Sequence, residues 1–175
     1  LGEEVRRLEC DVAGNIGVSA GPDGILLIDT QFGPLADRIR AALQKINEGK
    51  IRYVINTHHH EDHSHGNLAL GQSAISIGHQ KTQERLKDHS PENQLDLSFE
   101  KRMSLFFNGE EIQVTHAAHA HTDGDAIIHF KNANVIHVGD LYFNGMYPFI
   151  DTGSAGSVDG FINAMDQIQS LIDDQ

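Results

Sequence analysis

Between Thr57 and Asn67 the chain reads THHHEDHSHGN, which places five histidines and two carboxylates, Glu61 and Asp62, in eleven residues. Neutral imidazole and carboxylate are ligands that suit zinc, and iron or manganese less selectively. In an extended segment, residues two apart project to one side, so His58 and His60 are expected to converge on one ion. Asp62 and His63 lie just beyond and, being adjacent, reach a second position nearby. The bland alternative is a solvated loop with chance histidines. Four candidate ligands in six residues, directly after an apolar strand, weigh against it.

The elements that must present these residues can be read on either side. NIGVSAGPDGILLID predicts a hairpin turning at Gly21-Pro22-Asp23-Gly24. Pro34 predicts a helix start, with Leu35, Ile39, Leu43 and Ile46 as its apolar stripe and Gly49 as its stop. IRYVIN reads as the strand that leads into the histidines. A shorter strand near Ala74 to Ile77 and a polar helix around Gln80 to Asp88 follow. In SLFFNGEEIQVTHA, Asn108-Gly109 is the dipeptide favoured in tight hairpin turns. DAIIHF and VIHVGD read as two further strands, and Ser157 caps a last helix with Phe161, Met165, Ile168, Leu171 and Ile172 on its apolar face. Alternating strands and helices predict an α/β or α+β class with mixed sheets, in one domain over residues 1–175.

Composition excludes several classes. The formal net charge is −12, from 25 acidic against 13 basic residues, which repels phosphate backbones and argues against a nucleic-acid partner. No apolar run approaches the ~18–20 residues of a membrane span. Cys10 is the only cysteine, so the chain can form no internal disulfide and no thiolate-rich metal cage; it reads as a small buried apolar residue. The sequence begins at Leu1 without methionine, which slightly favours a processed periplasmic or secreted protein over a cytoplasmic one.

His58-x-His60-x-Asp62-His63, preceded by Thr57 and followed by Gly66-Asn67, resembles the signature of the metallo-β-lactamase-fold hydrolases. HTDGD (His121 to Asp125) and HVGDLYFNGMYPFID (His137 to Asp151) are similar to the family's second and third motifs, and the opening hairpin with Asp29 resembles its first. The resemblance covers nearly the whole chain. It implies a four-layer αββα sandwich of the α+β class. It also implies a first metal on His58, His60 and His121, a second on Asp62 and His63, and Asp140 bridging the two. Asp29 would lie behind the ligands, as an acceptor for a histidine ring N–H. His116 and His119 compete with His121 for its place, but only His121 lies in HTDGD. His79, His89, His129 and His137 read as surface or packing residues. Two departures stand out. Position 65 is His where the family has glycine, which offers an extra ligand. The family's last histidine ligand lies beyond the final helix read here, so the fold is expected to lack its C-terminal part, to have a second metal site that is weak or empty, and to self-associate through an uncovered edge.

The implied chemistry is a zinc-dependent, dinuclear hydrolase, in which a metal-bound hydroxide oriented by Asp62 attacks the carbonyl of a small-molecule thioester, lactone, ester or amide, a β-lactam included. Two rival readings stand beside it. One is a mononuclear iron dioxygenase on the same fold, using His58, His121 and Asp140. The other is a truncated scaffold that binds metal without turnover.

Overall fold

The computed structural model describes the strand Val5–Leu8 and residues 14–172; Cys10 lies outside the described residues. Among the described residues, ten strands form two sheets. The first has six strands in sequence order: β1 (Val5–Leu8), β2 (Ile16–Gly21), β3 (Gly24–Ile28), β4 (Ile51–Ile55), β5 (Ile75–His79) and β6 (Leu97–Phe99). β1, β2 and β3 are antiparallel, whereas β3 to β6 run parallel. Parallel neighbours need crossovers. These are supplied by α1 (Ala36–Gln44), by the short turns α2 (Glu61–Ser64) and α3 (Asn67–Leu70), and by α4 (Gln80–His89). The second sheet is antiparallel, in the order β10-β9-β8-β7, from β7 (Arg102–Phe107), β8 (Glu110–Ala117), β9 (Asp125–Phe130) and β10 (Val135–His137). α5 (Val158–Gln169) closes the described chain.

The layering follows from the two-residue period of the strands. GILLI of β3 is buried throughout because both faces are covered. Leu26 and Ile28 face the second sheet, where they pack with Ile55, Ile112, Val114, Ile128 and Phe130. Ile25 and Leu27 face the other way, onto Ala36, Ile39 and Leu43 of α1. β9 alternates in the same manner, with Ile127 pointing out to Phe161 and Ala164 of α5. The result is an α+β sandwich with helices outside two facing sheets. Removing one of its fully buried aliphatic side chains, such as Leu26 or Ile128, costs ~2–5 kcal/mol.

Two turns tie the sheets together. Asn108 and Gly109 both take left-handed backbone angles, φ 52° and 75°, as the tight β7–β8 hairpin requires. The Asn108 side chain is buried and reaches across to the β2–β3 turn, where its amide donates to Gly24 O (3.1 Å) and accepts from Asp23 N (2.9 Å). Asp23 returns the bond by accepting from Asn108 N at 2.8 Å.

Several boundaries differ from the predicted ones. α1 begins at Ala36, after a single 3-10 turn at Gly33–Leu35, and ends at Gln44 rather than at Gly49. Asn47 ends it early, because its carbonyl oxygen captures Gly49 N (2.6 Å) and its amide reaches Gly21 O (3.2 Å). α5 starts where Ser157 caps it, with the hydroxyl accepting from Gly160 N at 3.0 Å. No helix among the described residues is long and apolar enough to cross a membrane.

Candidate metal centre

β4 delivers the histidine-rich segment to the end of the first sheet. Beyond Asn56 the chain bends through residues 57–60 instead of continuing extended, so alternation is not what brings His58 and His60 together. A side-chain network folds the segment back. The Asn56 amide donates to His63 O (3.1 Å) and to Asn67 Oδ1 (3.2 Å), Asn67 Nδ2 returns a bond to Asn56 Oδ1 (2.7 Å), and Thr30 Oγ1 donates to Asn67 Oδ1 (2.9 Å). The turn of α2 then carries His63 inward and leaves Asp62 partly exposed.

The second sheet supplies the rest. His121 sits in the loop between β8 and β9, which Asp125 shapes by accepting from Thr122 N (2.7 Å) and Thr122 Oγ1 (2.5 Å). Burial pushes the Asp125 carboxyl up to about 6 against the pull of those two bonds. Asp140 follows β10 and Gly139. Gly139 has φ +52°, and a Cβ there would stand 2.6 Å from Thr57 Oγ1, so only glycine lets this turn pass over Thr57.

The structure brings His58, His60 and His121 together. His60 Nδ1 lies 3.0 Å from His58 Nε2 and 3.0 Å from His121 Nε2. The protons of these rings are committed elsewhere. His60 Nε2 donates to Asp151 Oδ2 (2.9 Å), and His121 Nδ1 donates to Phe149 O (2.8 Å). His58 Nδ1 donates to Thr57 Oγ1 (3.1 Å), whose own proton goes to Asp29 Oδ2 (2.7 Å). A neutral imidazole carries one N–H, so the three inward nitrogens present lone pairs to one another. Burial and the neighbouring rings hold the His58 pKa well below its ordinary value, so a proton on His58 does not relieve this. Three lone pairs at hydrogen-bond distance around one point fit a bound cation.

A second group adjoins the first. His63 is 2% exposed; its Nδ1 donates to Asp29 Oδ2 (2.8 Å), while its buried Nε2 makes no hydrogen bond. That orphaned nitrogen faces Asp140 Oδ1 at 3.2 Å and Asp62 Oδ2 at 3.4 Å. Burial works against charge on this ring, but Asp29, Asp140 and Asp62 outweigh it and raise its pKa well above the usual range. The surroundings thus call for a positive charge, as a metal position would. Asp140 Oδ2 meanwhile lies 3.7 Å from His121 Nε2, so one carboxylate spans both groups.

Other predicted residues lie elsewhere. His65 caps α2 and joins no group of three ligands among the described residues. His116 stacks on His79 (centroids 3.5 Å apart) and donates to Asp123 O, and His119 donates to Ala155 O. His79 is buried, His89 is exposed and His137 donates to Asn15 O. Asp29 is buried behind the site, accepting from Thr57 N (2.7 Å) as well as from His63. Sequence reasoning missed Asp151, the acceptor for His60. Its only local signal is the turn it caps by accepting from Ser154 N, and nothing in spacing ties it to a ring 91 positions earlier. His59 also approaches Asp151 and His60, but that face of His60 is already committed to Asp151.

The chain matches the Metallo-beta-lactamase superfamily over residues 11–173 and belongs to it. Solved structures agree on the fold. A metallo-beta-lactamase from Pontibacter korlensis aligns with TM-score 0.75 at 15% identity, covering 95% of this chain and 85% of that one. The metallo-beta-lactamase IND-7 aligns at 0.77 and 18%, covering 95% and 78%. A Cronobacter sakazakii metallo-beta-lactamase described by its HARLDQ motif aligns at 0.76 and 17%, covering 95% and 71%.

Proposed function

We propose that this protein is a zinc-dependent hydrolase that holds two metal ions and cleaves a carbonyl substrate by attack of water. The observation that carries this reading is the set of three converging ring nitrogens, His58 Nε2, His60 Nδ1 and His121 Nε2, with Asp140 spanning from them to His63. Metal bound there supplies Lewis acidity, which activates water at neutral pH and polarises a carbonyl. The rest belongs to the chain. Asp140, with Oδ1 3.2 Å from His63 Nε2 and Oδ2 3.7 Å from His121 Nε2, would be shared by the two groups. Burial would raise the Asp62 carboxyl, but the facing His63 ring outweighs it and holds the group below its ordinary pKa, so it is ionised and able to accept a proton from water. Asp29, Thr57, Asp151 and the Phe149 carbonyl fix the ring tautomers, so the ligand nitrogens need not reorganise.

The reading is tested by measuring metal identity and stoichiometry on purified protein, together with turnover on a panel of thioesters, lactones, esters and β-lactams. Two zinc ions per chain with turnover that chelation abolishes support it. A single iron per chain with oxygen-dependent turnover would replace it with the oxidative alternative, and bound metal without any turnover would leave a scaffold.

A further inference from the structure

The cleft that opens onto the second ligand group has a volume of about 730 Å³, and Asp62, His63 and Asp140 stand in its wall. Among the described residues of its lining there is no lysine and no arginine. Its remaining ionisable histidine, His137, has its pKa lowered chiefly by burial and is uncharged near neutrality. The four carboxylates Asp29, Asp62, Asp140 and Asp151 around the histidines offset the charge of two divalent ions, and the whole chain is strongly acidic at −12. Among the described lining residues no lysine or arginine is thus left over to bind an anion.

The other side of the cleft is apolar. Tyr142, Phe143 and Met146 line it, on a strap that leaves the site at Asp140 and returns at Asp151. The returning end of the strap is fastened to two histidine rings, through Phe149 O on His121 and through Asp151 on His60. Along the strap Tyr142 is 65% exposed, Met146 70%, Tyr147 97% and Phe149 61%. An exposed apolar cluster of this kind, beside a candidate ligand site, marks a binding surface.

We infer that the substrate presents an uncharged apolar group, an alkyl or aryl arm, to the Tyr142–Phe143–Met146 wall, and that the cleft discriminates against substrates with a carboxylate or phosphate on that arm. This rests on the hydrolase reading for the carbonyl but not for the arm. An apolar arm removes exposed side-chain surface from water on both partners. A carboxylate in the same place loses hydration, gains no cation and meets the field of Asp62 and Asp140. The class favoured is therefore neutral esters, lactones or amides of apolar acids, and anionic coenzyme thioesters or carboxylated lactams are disfavoured.

The test uses benzylacetone, a ketone that cannot be hydrolysed, and its para-carboxylated analogue, with affinities measured by calorimetry on metal-loaded and on metal-free protein at neutral pH. The neutral ketone should bind at least about tenfold more tightly in both states. Tyr142→Ala and Met146→Ala, at exposed positions that leave the fold alone, should each weaken it roughly three- to tenfold with little effect on the analogue. Asn144→Lys, which places a cation in the cleft wall, should recover the analogue by about tenfold. Equal or tighter binding of the carboxylated ketone, indifference to the strap variants, or no binding of either ketone at millimolar concentration would each overturn the assignment. Hydrolysis of neutral aryl esters by the zinc-loaded protein is scored separately. Its absence would remove the reaction and leave the ketone result to decide the arm.

Discussion

Asp29 Oδ2 accepts the Nδ1 proton of His63 at 2.8 Å, and both residues are all but inaccessible to solvent. The other Asp29 oxygen takes Thr57 N at 2.7 Å, so one carboxylate orients a ring of the second ligand group and fixes the start of the histidine segment. Asp29 has φ +65°, a conformation that Asn tolerates. Asp29→Asn should therefore fold, but lose the charge that favours His63 as a ligand. A 10–100-fold loss of affinity at the second site, with a smaller change at the first, is expected on calorimetric zinc titration. Asp29→Ala should also strand buried donors and lower stability by about 1–3 kcal/mol in denaturant titration.

Asp62→Asn tests the carboxylate that faces the cleft. Turnover should fall by about 10²–10⁴-fold while the first metal is retained. Activity near the parent level at full metal content would remove Asp62 from the proton transfer.

The two sites should load unequally. The first presents three imidazole nitrogens whose outward N–H groups are all satisfied, whereas the second has one imidazole, Asp62, and an oxygen of the shared Asp140. Zinc titration of metal-free protein should resolve a tight and a weak event, and His121→Ala should abolish the tight one. Saturation of the tight site at a hundredfold excess over Kd should stabilise the fold by about 2.7 kcal/mol. Two events of equal affinity would show that the second site has a further ligand.

Acid should weaken the fold through His79. Burial and the stacked His116 lower its pKa from 6.5 to about 4. The neutral ring accepts from Lys81 N and donates to Glu100 O. The folded state thus binds the proton less well than the unfolded chain. The stability this provides is complete above pH 6.5 and is lost as pH falls toward 4. The full shift corresponds to about 3 kcal/mol, and solvent screening reduces that to about 1–2 kcal/mol. His79→Gln should be less stable at pH 7.5 yet flatter in this window, compared with the parent in chelator. Parallel curves would refute the assignment.

Gly139→Ala should act on the site from the backbone. An added Cβ would stand 2.6 Å from Thr57 Oγ1 at a left-handed φ, so the turn must shift and take Asp140 with it. Loss of the second metal with the first retained is the expected result, read by metal content after gel filtration.

What the sequence made legible depended on how local each signal was. The β2–β3 and β7–β8 hairpins, β9 and the Ser157 cap lie where turn dipeptides, alternation and a capping hydroxyl predict them, because each is decided within a few residues. β6, only three residues long, lacks that periodicity and exists because β5 offers it an edge. The candidate ligands were legible as composition. Their geometry was not, because His58 and His60 meet through a bend held by Asn56, Asn67 and Thr30, three side chains with no motif of their own. Asp151 was illegible for a related reason: the partner that gives it meaning is distant in sequence.

The Asn108–Asp23 brace bears on how the two sheets can move. It joins the sheets at the start of β3, while the histidines and Asp140 join them beyond its other end. A sandwich clasped at both ends cannot open like a book. The cleft at that end is walled by the strap between Asp140 and Asp151, pinned at Phe149 and Asp151. The hydrogen bonds that pin the strap are the same ones that orient the rings of His121 and His60, so displacing it would turn those rings with it.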